Sequence, residues 1–428
     1  MDHLLFAAYL VLFAWLITKI KFFTGSGLNA SQLIIVFLLK VMAGIFYGWI
    51  GVYYGQMAQM VDTWAYHYES IKEYHLLQTH PADFFSNIFH NSYENGYSNF
   101  LISKNSWWND LKGNFVIKVL AILNLVSFGN YYVNLIFYSF LTLFGPIAIF
   151  RVMKDLFPGK QLTILASIIL VPSFIYWSSG IHKDGLLFVG LSLITYSVYF
   201  SLKENKFTLS RLVSLAIGIL LVLALRNFLI VPLIPALLAW ILASRLKLRP
   251  IIVFLSIYLI FIVLFFTMRY LLPSVDLPNA VVIKQEEFLA LSGGSAVTVE
   301  KLTPEFTSFL KNTPQAAALS FIRPYPTDVR HLLSLAAAIE INFLIVLFLI
   351  FLFWHKRSTK PVSPAVLFFI FFSFSVLMMI GYTVNFLGAI VRYRSIVFPF
   401  LLVPMIASIN WGALKQLFNN YILKNNNI

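Results

Sequence analysis

The residues best suited to chemistry are carboxylates and cations set beside apolar runs. The stretch Pro172–Gly185, PSFIYWSSGIHKDG, joins two such runs and carries His182, Lys183 and Asp184 where a membrane helix would meet water. Ionisable groups at membrane depth cost about 2.5–3.5 kcal/mol each on insertion scales, so they suggest a site. Asp184 could act as an acid, with Lys183 and His182 binding an anion or moving a proton. The plainer reading makes Asp184 the cap of a helix running from Gly185 to Leu202. Asp62 opens a second candidate, in VDTWAYHYES. If this stretch is helical, Asp62, Tyr66 and Glu69 or Ser70 share one face, because neighbours lie three and four residues apart. There Asp62 would suit a general base on a sugar hydroxyl, or a ligand to a divalent ion. Its plainer reading is again a helix cap, above an aromatic belt.

Cations form the third group. Arg226 sits in LALRNFLIVP, Arg323 and Asp328 in FIRPYPTD, Glu340 in SLAAAIEINF, and Arg392 and Arg394 flank Tyr393 in GAIVRYRS. Four arginines from three separated segments are thus expected at one membrane face. Guanidinium groups stay charged and grip phosphate through two donors at once, so such a cluster suits a lipid-linked pyrophosphate. Taken singly, each would read as a side chain reaching toward headgroups, or pairing with Asp328 or Glu340.

The elements that must position these groups are membrane helices. Of 428 residues, 60% are hydrophobic and 11% charged, with a mean hydropathy of +0.82. Continuous apolar runs near 20 residues predict an all-α polytopic membrane protein forming a single transmembrane domain over 1–428. Eleven spans are expected: Leu4–Lys19, Ser31–Met57, Tyr131–Arg151, Leu162–Tyr176, Leu186–Leu202, Leu212–Leu225, Phe228–Leu242, Ile251–Leu271, Leu332–Trp354, Ala365–Asn385 and Ser395–Ala413. Lys40, inside the second, is expected to snorkel toward the cytoplasm. The first span reads as an uncleaved helix with its N-terminus outside and the C-terminus cytoplasmic.

Charge supports this arrangement. The proposed cytoplasmic side holds 17 cations against Asp155 and Glu204, leaving 14 cations and 15 acids opposite. That is the positive-inside pattern, and the net charge of +14 is read as topology rather than as a nucleic-acid footprint. Asn114–Phe128 would invert the later loops if it crossed, so it is expected to lie in the interface or to re-enter. Two long outer loops result, 61–130 with interfacial helices and 273–330, and loops of that length are usually functional. The tracts SWWND and YENGYSNF in the first suit stacking and hydrogen bonding with sugars. No cysteine, P-loop, GxSxG, HExxH or Rossmann signature is present, which argues against thiol chemistry, ATP-driven transport, serine hydrolysis and zinc-protease chemistry.

On these residues the chain resembles the GT-C superfamily of integral-membrane glycosyltransferases, together with related bacterial polysaccharide polymerases. Asp62 with Tyr66 matches the acidic residue that the family shows in its first large outer loop. Pro172, Ser179, Gly180 and Asp184 match a second motif of the form "P…S.G..D", and FIRPYPTD and RYR look like arginine elements of the polymerase branch. The resemblance implies transfer of sugar from a polyprenyl-(pyro)phosphate-linked donor to a glycan or lipid-linked acceptor, on the outer face of a bacterial inner membrane. Asp62 and Asp184 would then be catalytic, and Tyr66, His182, Lys183, Arg226, Arg323, Asp328, Arg392, Tyr393 and Arg394 substrate-binding. Asp62 and Asp184 would hold Mg2+ or Mn2+ if a divalent ion is used. The second motif usually has two acids where Lys183–Asp184–Gly185 has one, which leans toward a metal-independent, arginine-assisted mechanism. A flippase or transporter for a lipid-linked saccharide is the alternative. An acyltransferase using His182 as base ranks below both.

Overall fold

The computed structural model describes residues 2–53, 62–89, 107–355 and 361–416. The helices, in order, begin with α1 Asp2–Ile17, α2 Lys21–Thr24, α3 Ala30–Tyr53, α4 Asp62–Thr79, α5 Pro81–Ser86 and α6 Trp107–Ser127. Next come α7 Tyr131–Leu156, α8 Gln161–Ile169, α9 Pro172–Ser179, α10 Lys183–Glu204, α11 Leu209–Arg226, α12 Ile230–Arg245 and α13 Pro250–Leu271. The chain continues through α14 Leu277–Leu289, α15 Phe306–Ala317, α16 Leu332–Trp354, α17 Pro364–Thr383, α18 Leu387–Ser395 and α19 Phe398–Ser408. Short 3₁₀ and π-helical turns join some of these helices, and the β-structure among the described residues is confined to isolated bridges. The protein is an all-α polytopic membrane protein. Seven helices are long and apolar enough to cross a bilayer, or nine if α8–α9 and α18–α19, each bent at a short break, count as one span apiece.

The difference from eleven has two causes. At 16 residues, α1 rises only about 24 Å, short of a hydrocarbon core of about 30 Å. The expected spans Leu212–Leu225 and Phe228–Leu242 form one helical run over Leu209–Arg245. Between its halves only Arg226 leaves helical geometry, at φ −153° and ψ 73°, and a 3₁₀ turn at Asn227–Leu229 follows directly. The segment Asn114–Phe128 lies mainly in α6, whose apolar part is too short to cross and packs along α4 and α11.

Internal contacts gather the chain into two compact units. The first comprises 1–152, 172–234 and 265–284. Its centre is α10, buried along most of its length, with α11 laid against it. Gly190 and Gly218 make that seam close: a Cβ on Gly218 would lie 2.7 Å from the Gly190 carbonyl. The described parts of the first long loop, α4, α5 and α6, form a folded layer of this unit. Thr63, His67 and Ser70 recur at helical spacing on the buried side of α4. Asn124 of α6 donates to the Ser70 hydroxyl at 3.1 Å and accepts from Asn134 of α7 at 2.6 Å. Lys118 of α6 bonds Glu73 of α4 at 2.6 Å. Trp64 stacks on Tyr131 at 4.0 Å and donates to the Gly48 carbonyl at 2.9 Å.

The second unit comprises 153–171, 235–264 and 285–428. Trp240, Phe368, Phe369, Phe372 and Phe400 form an aromatic core in it. The second long loop folds onto the end of α17. Gln285 donates to the carbonyls of Glu300 and Tyr382, both at 3.1 Å, and accepts from the Leu302 amide at 2.8 Å. Backbone bonds from Val297 to Asn385 and from Leu387 to Ser295 fasten the 295–297 stretch. Gly381 lets α15 lie against α17, since a Cβ there would run into the Ala316 carbonyl.

Gly218→Ala and Gly381→Ala should each destabilise the detergent-solubilised protein by about 1–3 kcal/mol through overpacking. Gly294→Ala, where an added Cβ meets nothing within 4 Å, should melt like the wild type in a thermal-unfolding assay.

Candidate functional site

In the first unit the sequence-singled stretch folds as α9, a tight turn and the start of α10. His182, not Asp184, is the N-cap: its Nδ1 accepts the Asp184 backbone N–H at 3.1 Å. That acceptor role leaves Nδ1 without a proton, so the 3.4 Å approach of Asp184 Oδ2 brings two acceptors together and is no ion pair. The ring is fully buried, packed edge-on against Tyr47 at 5.2 Å, and Tyr138 donates its hydroxyl proton to the His182 carbonyl. Gly185 is required here, because a Cβ would fall 2.5 Å from the Ser178 carbonyl and 2.6 Å from the Tyr138 oxygen. Lys183 is half-buried at the first position of α10.

Asp184 is 1% exposed, and its Oδ1 accepts from Arg226 Nη2 at 2.7 Å. Arg226 closes α11, so the pair clamps the end of α11 to the first turn of α10, where the helix dipole also favours a carboxylate. A carboxylate so placed is committed to the protein rather than open to an acceptor hydroxyl. Lys40 corrects another expectation. Instead of snorkelling it is buried, and its Nζ donates to the Ser178 carbonyl at 3.1 Å and to the hydroxyls of Ser178 and Ser179 at 3.4 and 3.3 Å. A cation at the C-terminal end of α9 meets the negative pole of that helix, which no pattern within α3 announces.

Asp62 is the first residue of α4, but its side chain lies outside the described residues. Tyr66 is half-buried on α4 beside Gly113 of α6. Of the two residues expected beside them, Ser70 is buried against Asn124 and Glu69 is exposed and paired with Lys72. YENGYSNF and the side chains of SWWND also lie outside the described residues.

In the second unit, Arg323, Asp328 and Arg394 meet at one turn. Arg323 Nε lies 3.5 Å from Asp328 Oδ2, and its guanidinium rests over the Tyr325 ring at 5.1 Å. Asp328 accepts the Tyr325 amide at 2.8 Å, which closes the turn. Arg394 is fully buried: its Nη1 donates to the Ser320 carbonyl at 3.3 Å and to the Arg323 carbonyl. Arg392 and Tyr393 precede it on α18, half-buried, with the Tyr393 ring 6.4 Å from that of Phe288. Glu340 of α16 is buried and acts electrostatically on Arg394.

No family model, curated protein or solved structure matches this chain. Its chemistry must therefore be argued from these two constellations, each within its own unit. Neither offers a metal site: among the described residues no three His, Cys, Asp or Glu side chains are grouped to hold an ion, and the Asp184 carboxylate is taken by Arg226. Sequence reasoning missed the polar seam of α4, α6 and α7. Asn124 and Asn134, polar residues inside apolar stretches, were its signal.

Two outcomes follow. Asp184→Asn or Arg226→Gln alone should cost about 3–5 kcal/mol in unfolding free energy, because each strands a buried partner. The double variant should recover part of that loss in a double-mutant cycle. Burial also pushes the His67 imidazole down to about 4, below its ordinary 6.5, so the folded state keeps it neutral. Above about pH 6.5 folded and unfolded forms are both neutral. Below it the unfolded chain takes the proton first, so stability should fall between pH 6.5 and 4, by at most about 3 kcal/mol. His67→Gln should flatten that part of the melting-temperature profile.

Proposed function

We propose that the protein is a membrane glycosyltransferase or polysaccharide polymerase working on a polyprenyl-(pyro)phosphate-linked sugar at the extracytoplasmic face of a bacterial inner membrane. The observation that supports this most is the gathering of Arg323, Asp328 and Arg394 at one turn, with Arg392 and Tyr393 on the adjoining helix. The dominant demand of glycosyl transfer from such a donor is stabilising charge on the phosphate leaving group, which preorganised cations meet. In this reading Arg323 and Arg392 face the phosphate, while Arg394 supports the turn that presents Arg323. A new bond forms between the acceptor oxygen and the anomeric carbon as the anomeric carbon–phosphate oxygen bond breaks. The proton of the acceptor hydroxyl passes to a general base, the role that the sequence resemblance implies for Asp62. Asp184 and Arg226 act by fixing the ends of α10 and α11, and no step is assigned to a metal ion.

Lys40 favours a second reading, a flippase for the same lipid-linked saccharide. A buried cation at the eleventh residue of a 24-residue span is the kind of charge a translocation path uses. One experiment separates the two. Deleting the gene should leave single repeat units, or an unmodified acceptor, on lipid carriers at the outer leaflet. Wild-type protein should remove them, and Arg323→Ala should transfer on the order of 10–100-fold more slowly. Lipid-linked intermediate trapped on the cytoplasmic leaflet would instead establish the flippase.

A further inference from the structure

The end of α9 holds its cation with neutral oxygens alone. Around the Lys40 Nζ stand the Ser178 carbonyl at 3.1 Å and the hydroxyls of Ser178 and Ser179 at 3.4 and 3.3 Å. All three residues are buried. Three acceptors use up the three N–H donors of an ammonium. The carbonyl is one of the orphan acceptors that a helix end leaves, and the dipole of α9 turns its negative pole toward the charge. None of these partners is a carboxylate, and Asp184, in the turn that follows, is spent on Arg226. Such a shell suits a single charge, whereas a divalent ion takes six or more oxygens with carboxylates among them. Carbonyl ends of half-helices hold monovalent cations in this manner inside membranes. The walls are fixed by close packing, because Lys40, Gly44 and Tyr47 share one face of α3. A Cβ on Gly44 would fall 2.7 Å from the Ser179 carbonyl, and one on Gly180 would run into the Tyr47 ring.

We propose that the carbonyl and hydroxyl oxygens of Ser178 and Ser179 form a binding site for a small monovalent cation of the ammonium class, with the Lys40 side chain as its resident occupant. The site requires the charge and its N–H donors, and the four-carbon stem only delivers them. Lys40 is thereby a tethered ion, and the native protein needs no cation from solution at this place. The occupant is also a positioning residue, since the end of α9 leads directly into the His182 cap and the Asp184–Arg226 clamp at the head of α10. Truncating Lys40 empties both the shell and the channel that the stem fills, so a free ammonium ion can take the vacated place. The inference stands under either functional reading.

The test uses the full chain in nanodiscs of zwitterionic lipid, with ammonium, ethylammonium and tetramethylammonium chlorides at equal ionic strength as probes and thermal unfolding as the readout. Wild type should melt alike in all three salts, because its site is filled. Lys40→Met keeps the stem without the charge, and should melt below wild type in all three. Lys40→Ala should melt lowest in tetramethylammonium, which has no N–H donor, and should recover in ammonium and ethylammonium. At ten times its dissociation constant the bound ion should raise the folded-to-unfolded ratio about tenfold, a gain that loss of folding cannot mimic. Adding Ser178→Ala and Ser179→Ala to Lys40→Ala should weaken that response about tenfold or more in ammonium concentration. Lys40→Met as stable as wild type overturns the proposal, because shape alone would then suffice. An equal response of Lys40→Ala to ammonium and tetramethylammonium overturns it as a general salt effect, and so does a response that survives loss of both hydroxyls. If Lys40→Ala can be isolated only in ammonium, that dependence is the expected result, and if it can be isolated in none of the salts, Lys40→Met decides.

Discussion

A bilayer supplies no water, so each charge drawn into this protein must be answered by the protein itself. That constraint explains more of the structure than any single motif. Lys40 is answered by the carbonyl end of α9, Asp184 by Arg226, and Lys160 by the Ala407 carbonyl near the end of α19. In each case the partner is a helix terminus or a residue beside one. Helix ends carry the orphan backbone groups that water would otherwise satisfy. Pairing charges with them meets two needs at once, and it fixes where helices begin and stop. The Asp184–Arg226 clamp fixes a helix start against a helix end in this way. Arg394 is answered only in part, since its Nε and Nη2 have no hydrogen-bond partner among the described residues.

The same economy shapes the two long loops. The first is held to its unit by amide and hydroxyl groups: Asn124 between Ser70 and Asn134, and the hydroxyls of Thr63 and Tyr131 at 2.7 Å. The second is held by one buried glutamine and a short stretch of backbone pairing around Asn385–Leu387. Neither loop relies on apolar packing alone. Polar fastening positions side chains more narrowly than an oily contact would.

Much of this could be read from the chain. Apolar run length predicts α3, α7, α10, α13, α16 and α17 to within about five residues, and HKDG stands at the head of a span. What could not be read is instructive. The spacing of Asp184 and Gly185 suggests a capping aspartate, yet His182 takes that role because its own ring nitrogen reaches the amide two residues on. Arg226 looks like the tip of a loop between two spans, whereas one non-helical residue and a 3₁₀ turn suffice there. Four arginines of one chemical type suggest four equivalent ligands. Two of them, Arg226 and Arg394, are buried against partners remote in sequence, 42 and 71 residues away. Periodicity reports which face of a helix is apolar. It is silent about which distant carbonyl or carboxylate waits on that face.

The environment of Lys40 has a consequence for biogenesis. The helix that carries it is made early, but the serines that neutralise its solvation cost lie 138 and 139 residues downstream. Until that segment emerges from the ribosome, α3 holds an uncompensated ammonium halfway along its length. Insertion of α3 carries that cost, about 2.5–3.5 kcal/mol for a lysine at the helix centre, until its counterpart is synthesised. Translation order thus separates the expense of burying Lys40 from the contacts that offset it.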